Sequence, residues 1–150
     1  MDSIKQQLYQ HCLDYANNRI ATAESAITSA QDAATNDTKS SAGDKYETTR
    51  EMMQQEISRN QIQLSEARKL KYQLSSFSIS PVSDTVQAGS LVLTDNGNFF
   101  IAISAGQITI NDITYLIISS FSPIGKLLIG KQIEEVVQFN ERKFLIQSIF

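Results

Sequence analysis

Residues 35–47 read TNDTKSSAGDKYE and interrupt a sequence that otherwise has helical spacing from the start of the chain to about residue 75. The stretch is rich in Asn, Asp, Ser and Thr, which satisfy turn backbones locally, and Gly43 is the only glycine or proline in residues 1–75. It therefore predicts a helix break over residues 36–43 and a new helix that begins on two carboxylates, Asp44 and Glu47.

The segments on either side of this break carry heptad seams, which need a partner helix. The break favours an intramolecular antiparallel hairpin, on the order of 45 Å long, with its tip at residues 36–47. An intermolecular coiled coil is the competing interpretation. The first seam consists of Tyr9, Leu13, Ala16, Ile20, Ala23, Ile27, Ala30 and Ala34. The second, with three polar members, consists of Tyr46, Arg50, Met53, Ile57, Asn60, Leu64, Ala67, Lys71 and Leu74.

From Ser76 onward the pattern changes to short apolar or alternating runs, which predict strands. Asp95 to Asn98 reads as a hairpin turn, and Ala105-Gly106, Asn111-Asp112 and Asn140-Glu141 are weaker turn signals. The sequence thus predicts an α+β protein with a helical hairpin over 1–75 and a small, mostly antiparallel sheet domain over 76–150. The predicted strands are Leu91 to Thr94, Phe99 to Ser104, Gln107 to Ile110, Thr114 to Ser119, Val136 to Phe139 and Lys143 to Ile149.

One short helix is predicted within the sheet domain, in the segment SPIGKLLIGK at residues 122–131. Ser122 suits the N-cap, Pro123 suits the first helical position, and Gly130 can end the turn in a left-handed conformation. Ile124, Leu127, Leu128 and Ile129 exceed the apolar stripe that one helix needs, so part of this set is expected at the surface.

Charge and composition exclude several classes of function. The net charge of -3 and the pI near 5.1 lack the basic footprint of a protein that binds bare duplex nucleic acid. No apolar run reaches the roughly 18 residues that a membrane span needs, so we expect no membrane partner. Cys12 has no second cysteine to pair with, and it and His11 lack further Cys or His residues for a metal site. These features predict a cytoplasmic protein.

Two motifs resemble the Gre transcript cleavage factors of bacterial RNA polymerase. SSFSPIGKLLIGKQIEEVVQF at residues 119–139 is similar to the family's Ser-Pro-Ile/Leu-x-x-x-Leu-Ile/Leu-Gly-Lys segment, which an acidic turn and a Val-Val strand follow. GDKYE at residues 43–47 is similar to the family's Gly-Asp-x-x-Glu tip. The resemblance covers essentially the whole chain, and the order of the two domains agrees with it.

The resemblance implies a monomeric accessory factor rather than an enzyme. Its hairpin would enter the secondary channel of RNA polymerase, and an FKBP-like domain would dock at the channel entrance. It would stimulate the polymerase's own hydrolysis of backtracked transcripts, and would meet nascent RNA and DNA only through the elongation complex. Asp44 and Glu47 would be the catalytic pair and would share Mg2+ with the polymerase active site. Polymerase contacts are expected at Ser122, Pro123, Ile124 and Gly125.

This chain departs from the family around the acidic pair. Lys45-Tyr46 replaces the usual Leu-Ser, and residues 48–51 read Thr-Thr-Arg-Glu instead of Asn-Ala-Glu-Tyr. Lys45 and Arg50 flank the acids and are candidates for contact with an RNA phosphate. Asp44 at N-cap with Glu47 at N3 also has the spacing of a capping box, which gives the pair a purely structural alternative.

Three other functions stay open at this stage. The first is a regulator that binds the same channel without stimulating cleavage, as some relatives in the family do. The second is a peptidyl-prolyl isomerase, suggested only by the FKBP-like domain, and its aromatic residues are mostly at strand positions that core packing explains. The third is a coiled-coil adaptor whose hairpin binds another helix.

Overall fold

The structure, a computed structural model, describes the backbone of residues 1–40 and 44–150 and the side chains of residues 1–35 and 47–150. Two long helices precede a six-stranded sheet, and a short third helix lies between the fourth and fifth strands. The α+β class is confirmed. No helix in the described ranges is long and apolar enough to cross a membrane. The elements are α1 Asp2–Ser40, α2 Asp44–Ser75, β1 Leu91–Thr94, β2 Gly97–Ala102, β3 Gly106–Ile110, β4 Ile113–Ser119, α3 Pro123–Leu128, β5 Val136–Phe139 and β6 Arg142–Ile149.

The predicted helix break is wrong for residues 36–40, because α1 continues to Ser40. None of these five residues is glycine or proline. Asn, Asp, Thr, Lys and Ser each cost less than about 0.7 kcal/mol relative to Ala in a helix interior, which a helix already 34 residues long can absorb. Residues 41–43, where the rest of the break was predicted, lie outside the described residues.

The chain forms two compact units, and their boundaries differ from the predicted division at residue 75. The hairpin unit is Tyr15–Lys71, and the sheet unit combines Met1–Asp14 with Tyr72–Phe150. Within the sheet unit Tyr9 Oη donates a 2.8 Å hydrogen bond to the Leu74 carbonyl oxygen. The ring of Tyr9 meets Phe77 edge-on, with 6.2 Å between the ring centroids. These contacts join the helix ends to the sheet unit.

The hairpin unit is an antiparallel pair of helices. Arg19 Nη2 donates to Gln63 Oε1 at 3.3 Å, which joins the helices directly. Arg19 lies 21 residues before Ser40 and Gln63 lies 19 residues after Asp44, so the two arms from this contact to the interhelical connection are nearly equal. The two helices therefore pair with each other within the chain, as the predicted hairpin requires. The buried seam positions in this unit are Ala16, Ala23, Ala30, Ile57 and Ala67.

Two polar members of the predicted second seam, Arg50 and Lys71, are exposed, so they do not belong to the packed stripe. Asn60 is half-buried there, and its side-chain amide donates to the Glu56 carbonyl oxygen at 2.9 Å. Small residues dominate the α1 side of the seam, which allows two helices to approach closely. The larger Ile57 fills part of the space that these alanines leave.

The sheet has the strand order β3-β4-β2-β1-β6-β5. All neighbouring pairs are antiparallel except β2 and β4, which are parallel, so the mostly antiparallel sheet is confirmed. Side chains alternate across the central strand β2. Phe99 and Ile101 join the core beneath α3, whereas Phe100 and Ala102 are buried on the opposite face. The sheet is therefore covered on both faces at its centre.

Cys12 is buried in the compact unit that contains the sheet. The side chain is fully buried and its thiol contacts the backbone of Ile103, at the end of β2. Leu8 and Leu74 are fully buried in the same unit. The first turns of α1 and the last turn of α2 thus contribute buried side chains to the sheet unit, and α3 contributes Leu128 to a core shared with β1, β2, β5 and β6.

Candidate functional site

The acidic pair of the predicted tip lies at the start of α2. The helix begins at Asp44, so positions 44 and 47 lie three residues apart in its first turn and share one face. Glu47 is exposed, as is Arg50 three residues further along the same face. The side chains of Asp44 and Lys45 lie outside the described residues, and the capping box predicted for Asp44 and Glu47 falls there in part.

The donor set at this helix start fits part of a Mg2+ site. Mg2+ prefers oxygen ligands and is commonly held by one or two carboxylates together with waters and phosphate oxygens. Two acids at positions 44 and 47 match that requirement when another molecule supplies the remaining ligands. Among the described residues no group of three or more His, Cys, Asp or Glu side chains could hold a metal ion.

Helix α3 forms as the sequence predicts. Ser122 is the N-cap, and its Oγ accepts a hydrogen bond from the Gly125 amide at 3.1 Å and donates one to the Ser119 carbonyl oxygen at 2.6 Å. Pro123 occupies the first turn, and Gly130 follows the helix with a φ of +83°. The segment is locked between β4 and the core because its cap bonds reach back to the strand end.

The four predicted polymerase contacts differ in accessibility. Pro123 is exposed, whereas Ser122 is half-buried with its hydroxyl engaged in the cap. Ile124 is half-buried and packs against the core, and Gly125 is buried. A methyl group at position 125 would overlap the Ser119 carbonyl oxygen, so glycine allows α3 to lie against the end of β4. Only part of the predicted set is therefore available to a partner.

The accessible apolar surface lies beside these residues. Leu128 is fully buried, but Leu127 and Ile129 are 40% and 38% exposed, so the predicted excess of apolar residues is at the surface. Phe121 is 72% exposed in the turn that joins β4 to α3. We call Phe121, Leu127 and Ile129 the α3 patch. A shallow cavity of about 360 Å3 beside it is lined by Gln87, Ala88, Ser120, Phe121, Lys126 and Ile129.

Phe121 is a residue that the sequence reasoning did not single out. A signal for its exposure was present. Phe121 follows the predicted strand Thr114 to Ser119 and precedes the predicted N-cap Ser122, so it falls in the connecting turn rather than at an inward-facing strand position.

The hairpin unit carries a polar groove rather than a basic one. A cavity of about 300 Å3 is lined by residues from both helices. In it Arg19 lies over the Tyr15 ring at 5.7 Å from the centroid, and Nη1 bonds the Tyr15 hydroxyl at 3.3 Å. Elsewhere on α2 the exposed Lys69 pairs with Glu66 at 3.5 Å. The groove is lined by Tyr15, Asn18, Arg19, Thr22, Ala23, Asn60 and Gln63.

Cys12 is unsuited to nucleophilic chemistry. Burial raises the pKa of its thiol to about 12, and the backbone contact with Ile103 offsets this only in part. Because the thiolate is the reactive form, the side chain remains a small apolar core residue at neutral pH.

No protein-family model matches this chain, and no curated protein matches it significantly.

Proposed function

We propose that the protein is a transcription elongation factor of the Gre type, which inserts its hairpin into the secondary channel of RNA polymerase and stimulates cleavage of backtracked transcripts. One observation carries the proposal: helix α2 begins at Asp44, so the Asp44/Glu47 pair stands next to the interhelical connection of an antiparallel hairpin. The proposal includes an FKBP-like sheet domain, a cytoplasmic location and a monomeric state, as the resemblance to the Gre family implies.

The acidic pair is the part of the chain that would act in the reaction. Asp44 would ligate Mg2+ within the polymerase active site, and Glu47 would share the ion or orient the attacking water. When bound there, the ion lowers the pKa of a ligated water and stabilises in-line attack on the phosphodiester. Glu47 is exposed and free to approach such a site. Lys45 and Arg50 would contact RNA phosphate.

The sheet unit would hold the factor at the channel entrance. The α3 patch supplies apolar side chains in addition to Pro123 and the accessible part of Ile124. Apolar anchors of this kind dominate the energetics of protein interfaces when their surroundings exclude water. The docking surface at α3 would belong to the sheet unit and the catalytic pair to the hairpin unit. Binding and cleavage should therefore respond to different substitutions.

A regulator that binds the channel without stimulating cleavage is the second candidate, and the residues around the acids favour it. Arg50 is exposed on the same helical face as Glu47, one turn further along. A guanidinium at that position competes with a divalent cation for the carboxylate. Lys45, which stands where the family usually has leucine, adds another cation next to the pair.

The deciding experiment is transcript cleavage by stalled, backtracked polymerase with the double variant D44N/E47Q. Asn caps a helix about as well as Asp, and Gln can serve in a capping box, so the variant keeps the helix start but loses the charge that attracts Mg2+. We expect cleavage to fall by about a hundredfold or more while polymerase binding persists. Glu51→Gln, which removes another exposed acid of α2, is the matched control and should cleave normally.

Two results would contradict the proposal. Cleavage by the double variant at the wild-type rate would leave Asp44 and Glu47 as helix-capping residues. Absence of cleavage by the wild-type factor, with channel binding intact, would establish the second candidate.

A further inference from the structure

The first turn of α1 contains a buried lysine. Lys5 is 1% exposed, and its Nζ has no hydrogen-bond partner among the residues that the structure describes. Its backbone amide bonds the Met1 carbonyl oxygen at 3.0 Å, so the residue is held in the helix. Sequence periodicity did not single out this position, because Lys5 precedes the heptad seam that begins at Tyr9.

A cation at this place is unfavourable without an anion near it. A buried ammonium group loses its hydration, and the positive end of the helix dipole adds a repulsive contribution in the first turn. Burial lowers the pKa of Lys5, and the through-space attraction of the Asp2 carboxylate offsets this in part. No ion pair joins these two side chains in the described part of the chain. An oxyanion beside Nζ would relieve both costs.

The space for such a group is present. A partly enclosed cavity of about 120 Å3 is lined by Asp2, Lys5, Gln6, Ile79 and Ser80. That volume admits a group of a few non-hydrogen atoms but not a nucleotide, since a single water occupies about 30 Å3 in the liquid. Gln6 and Ser80 bring further polar groups that can donate hydrogen bonds. Both can also accept, but the Asp2 carboxylate is the acceptor of this lining that carries a negative charge.

The composition of the lining discriminates among anions. An oxyanion without a proton would be attracted by Lys5 and repelled by Asp2. A protonated oxyanion presents unprotonated oxygens to a donor and an O–H group to an acceptor, so it satisfies both side chains at once. Hydrogen phosphate and bicarbonate have this chemistry, whereas sulfate has no proton at neutral pH.

We propose that the cavity at the start of α1 is a binding site for a small protonated oxyanion of the phosphate or bicarbonate class. Lys5 Nζ has almost no accessible surface in the absence of a ligand, so the side chain rotates into the cavity when the ligand binds and donates to one of its unprotonated oxygens. Asp2 accepts from the O–H group of the ligand. The site lies in the sheet unit and does not depend on the proposed role in transcription.

The test is a titration of the full chain with phosphate, bicarbonate and sulfate, each in turn, followed by the NMR signals of the Lys5 side chain. Phosphate or bicarbonate should shift the Lys5 signals saturably, and sulfate should bind more weakly. Lys5→Met should weaken phosphate binding at least about tenfold, the loss expected for a charge-assisted hydrogen bond. Phosphate binding by the Lys5→Met variant is followed through the backbone amide signals of Gln6 and Ser80. Lys71→Met, which removes an exposed lysine, is the matched control and should bind as the wild type does.

Asp2→Asn provides an independent arm, because Asp2 is exposed and its replacement should not affect folding. The asparagine variant should lose the preference for phosphate over sulfate, since the negative acceptor that distinguishes them is gone. Equal binding of phosphate by wild type and Lys5→Met would overturn the proposal. So would a wild-type protein whose Lys5 signals do not respond to phosphate or bicarbonate, or a preference for sulfate.

Discussion

Gly125 allows helix α3 to approach the end of β4 closely, because glycine has no Cβ atom. A Cβ there would overlap the Ser119 carbonyl oxygen, which also accepts the hydrogen bond from Ser122 Oγ. Because the obstacle is backbone that the cap already holds, it cannot rotate away as a flexible side chain would. Conformation is not the reason for this glycine, since it is not among those with a positive φ.

We therefore expect Gly125→Ala to lower the free energy of unfolding by about 1–3 kcal/mol, the range for overpacking. Gly106→Ala is the control for backbone conformation. Gly106 has a φ of +75° and nothing within 4 Å of an added Cβ, so its variant isolates the roughly 1 kcal/mol cost of a left-handed alanine. Urea denaturation of both variants measures the difference. A loss at position 125 no larger than that at position 106 would remove the steric explanation.

Lys5 makes the stability of the protein depend on pH in a defined direction. Its folded-state pKa lies below the ordinary value of 10.5, so between the two values the unfolded chain binds a proton that the folded chain has released. Wild-type stability at this site therefore rises with pH through that window. Lys5→Met should be more stable than the wild type below the folded-state pKa, and this advantage should shrink as pH approaches 10.5.

The measurement is thermal or urea unfolding of both proteins across that pH range in solution free of phosphate and bicarbonate. Only the difference between the two proteins is compared, because the other titrating groups are common to both. A difference that stays constant with pH would contradict the lowered pKa of Lys5.

At the scale of the element, helix α3 is only six residues long, yet it packs one side against the core and exposes apolar side chains on another. Ile124 and Leu128 face the core, whereas Leu127 remains 40% exposed. The helix is short, and its cap bonds to the end of β4 fix its rotation about its own axis. The same sequence segment can therefore stabilise the sheet unit and present the α3 patch.

This arrangement predicts opposite outcomes for two aspartate substitutions in α3. Leu127→Asp should leave thermal stability nearly unchanged and weaken polymerase binding by about 1–2 kcal/mol, because the charge must be desolvated at an apolar contact. Ile124→Asp should instead destabilise the fold. Ile113→Asp, at the opposite end of β4, is the control and should bind polymerase normally. Unchanged affinity of Leu127→Asp for polymerase would place the α3 patch outside the interface.

At the scale of the whole molecule, the helix ends and the sheet share a compact unit. Leu8, Cys12 and Leu74 have no exposed surface and belong to the unit that contains the sheet. Full burial of a leucine side chain contributes about 1.5–3 kcal/mol to the free energy of unfolding. The three together are comparable with the net stability of a small domain.

We expect that a chain in which a short Gly/Ser linker replaces Tyr15–Lys71 folds as the sheet unit. The isolated fragment 76–150 should be less stable by on the order of 5 kcal/mol, because it lacks Leu8, Cys12 and Leu74, which are fully buried in this unit. Dispersion of amide NMR signals and thermal unfolding distinguish the two. A fragment 76–150 as stable as the linked chain would support the predicted boundary at residue 75.

The turns of the sheet show where local sequence is sufficient and where it is not. Asn111-Asp112 and Asn140-Glu141, the weaker signals, have positive φ at both central residues, as a tight hairpin requires. The stronger signal, Asp95 to Asn98, forms a shorter turn than predicted, because Thr94 pairs with Gly97 and only Asp95 and Asn96 lie between them. Contacts with β6 hold this turn in addition to the local bond from Thr94 Oγ1 to the Gly97 carbonyl oxygen. Asp95 Oδ1 accepts from Leu145 N at 2.8 Å, and Arg142 donates to Asn96 at 3.0 Å.

The sequence by itself determined the features that rest on short-range spacing. The heptad seam predicted the hairpin, alternating runs predicted the strands, and Ser122, Pro123 and Gly130 predicted the bounds of α3, because caps and periodicity act within a few residues. Tertiary structure alone decided which side chains of a given segment are covered. Lys5 is buried although it is charged and Phe121 is exposed although it is aromatic, since coverage depends on elements that are distant in the chain.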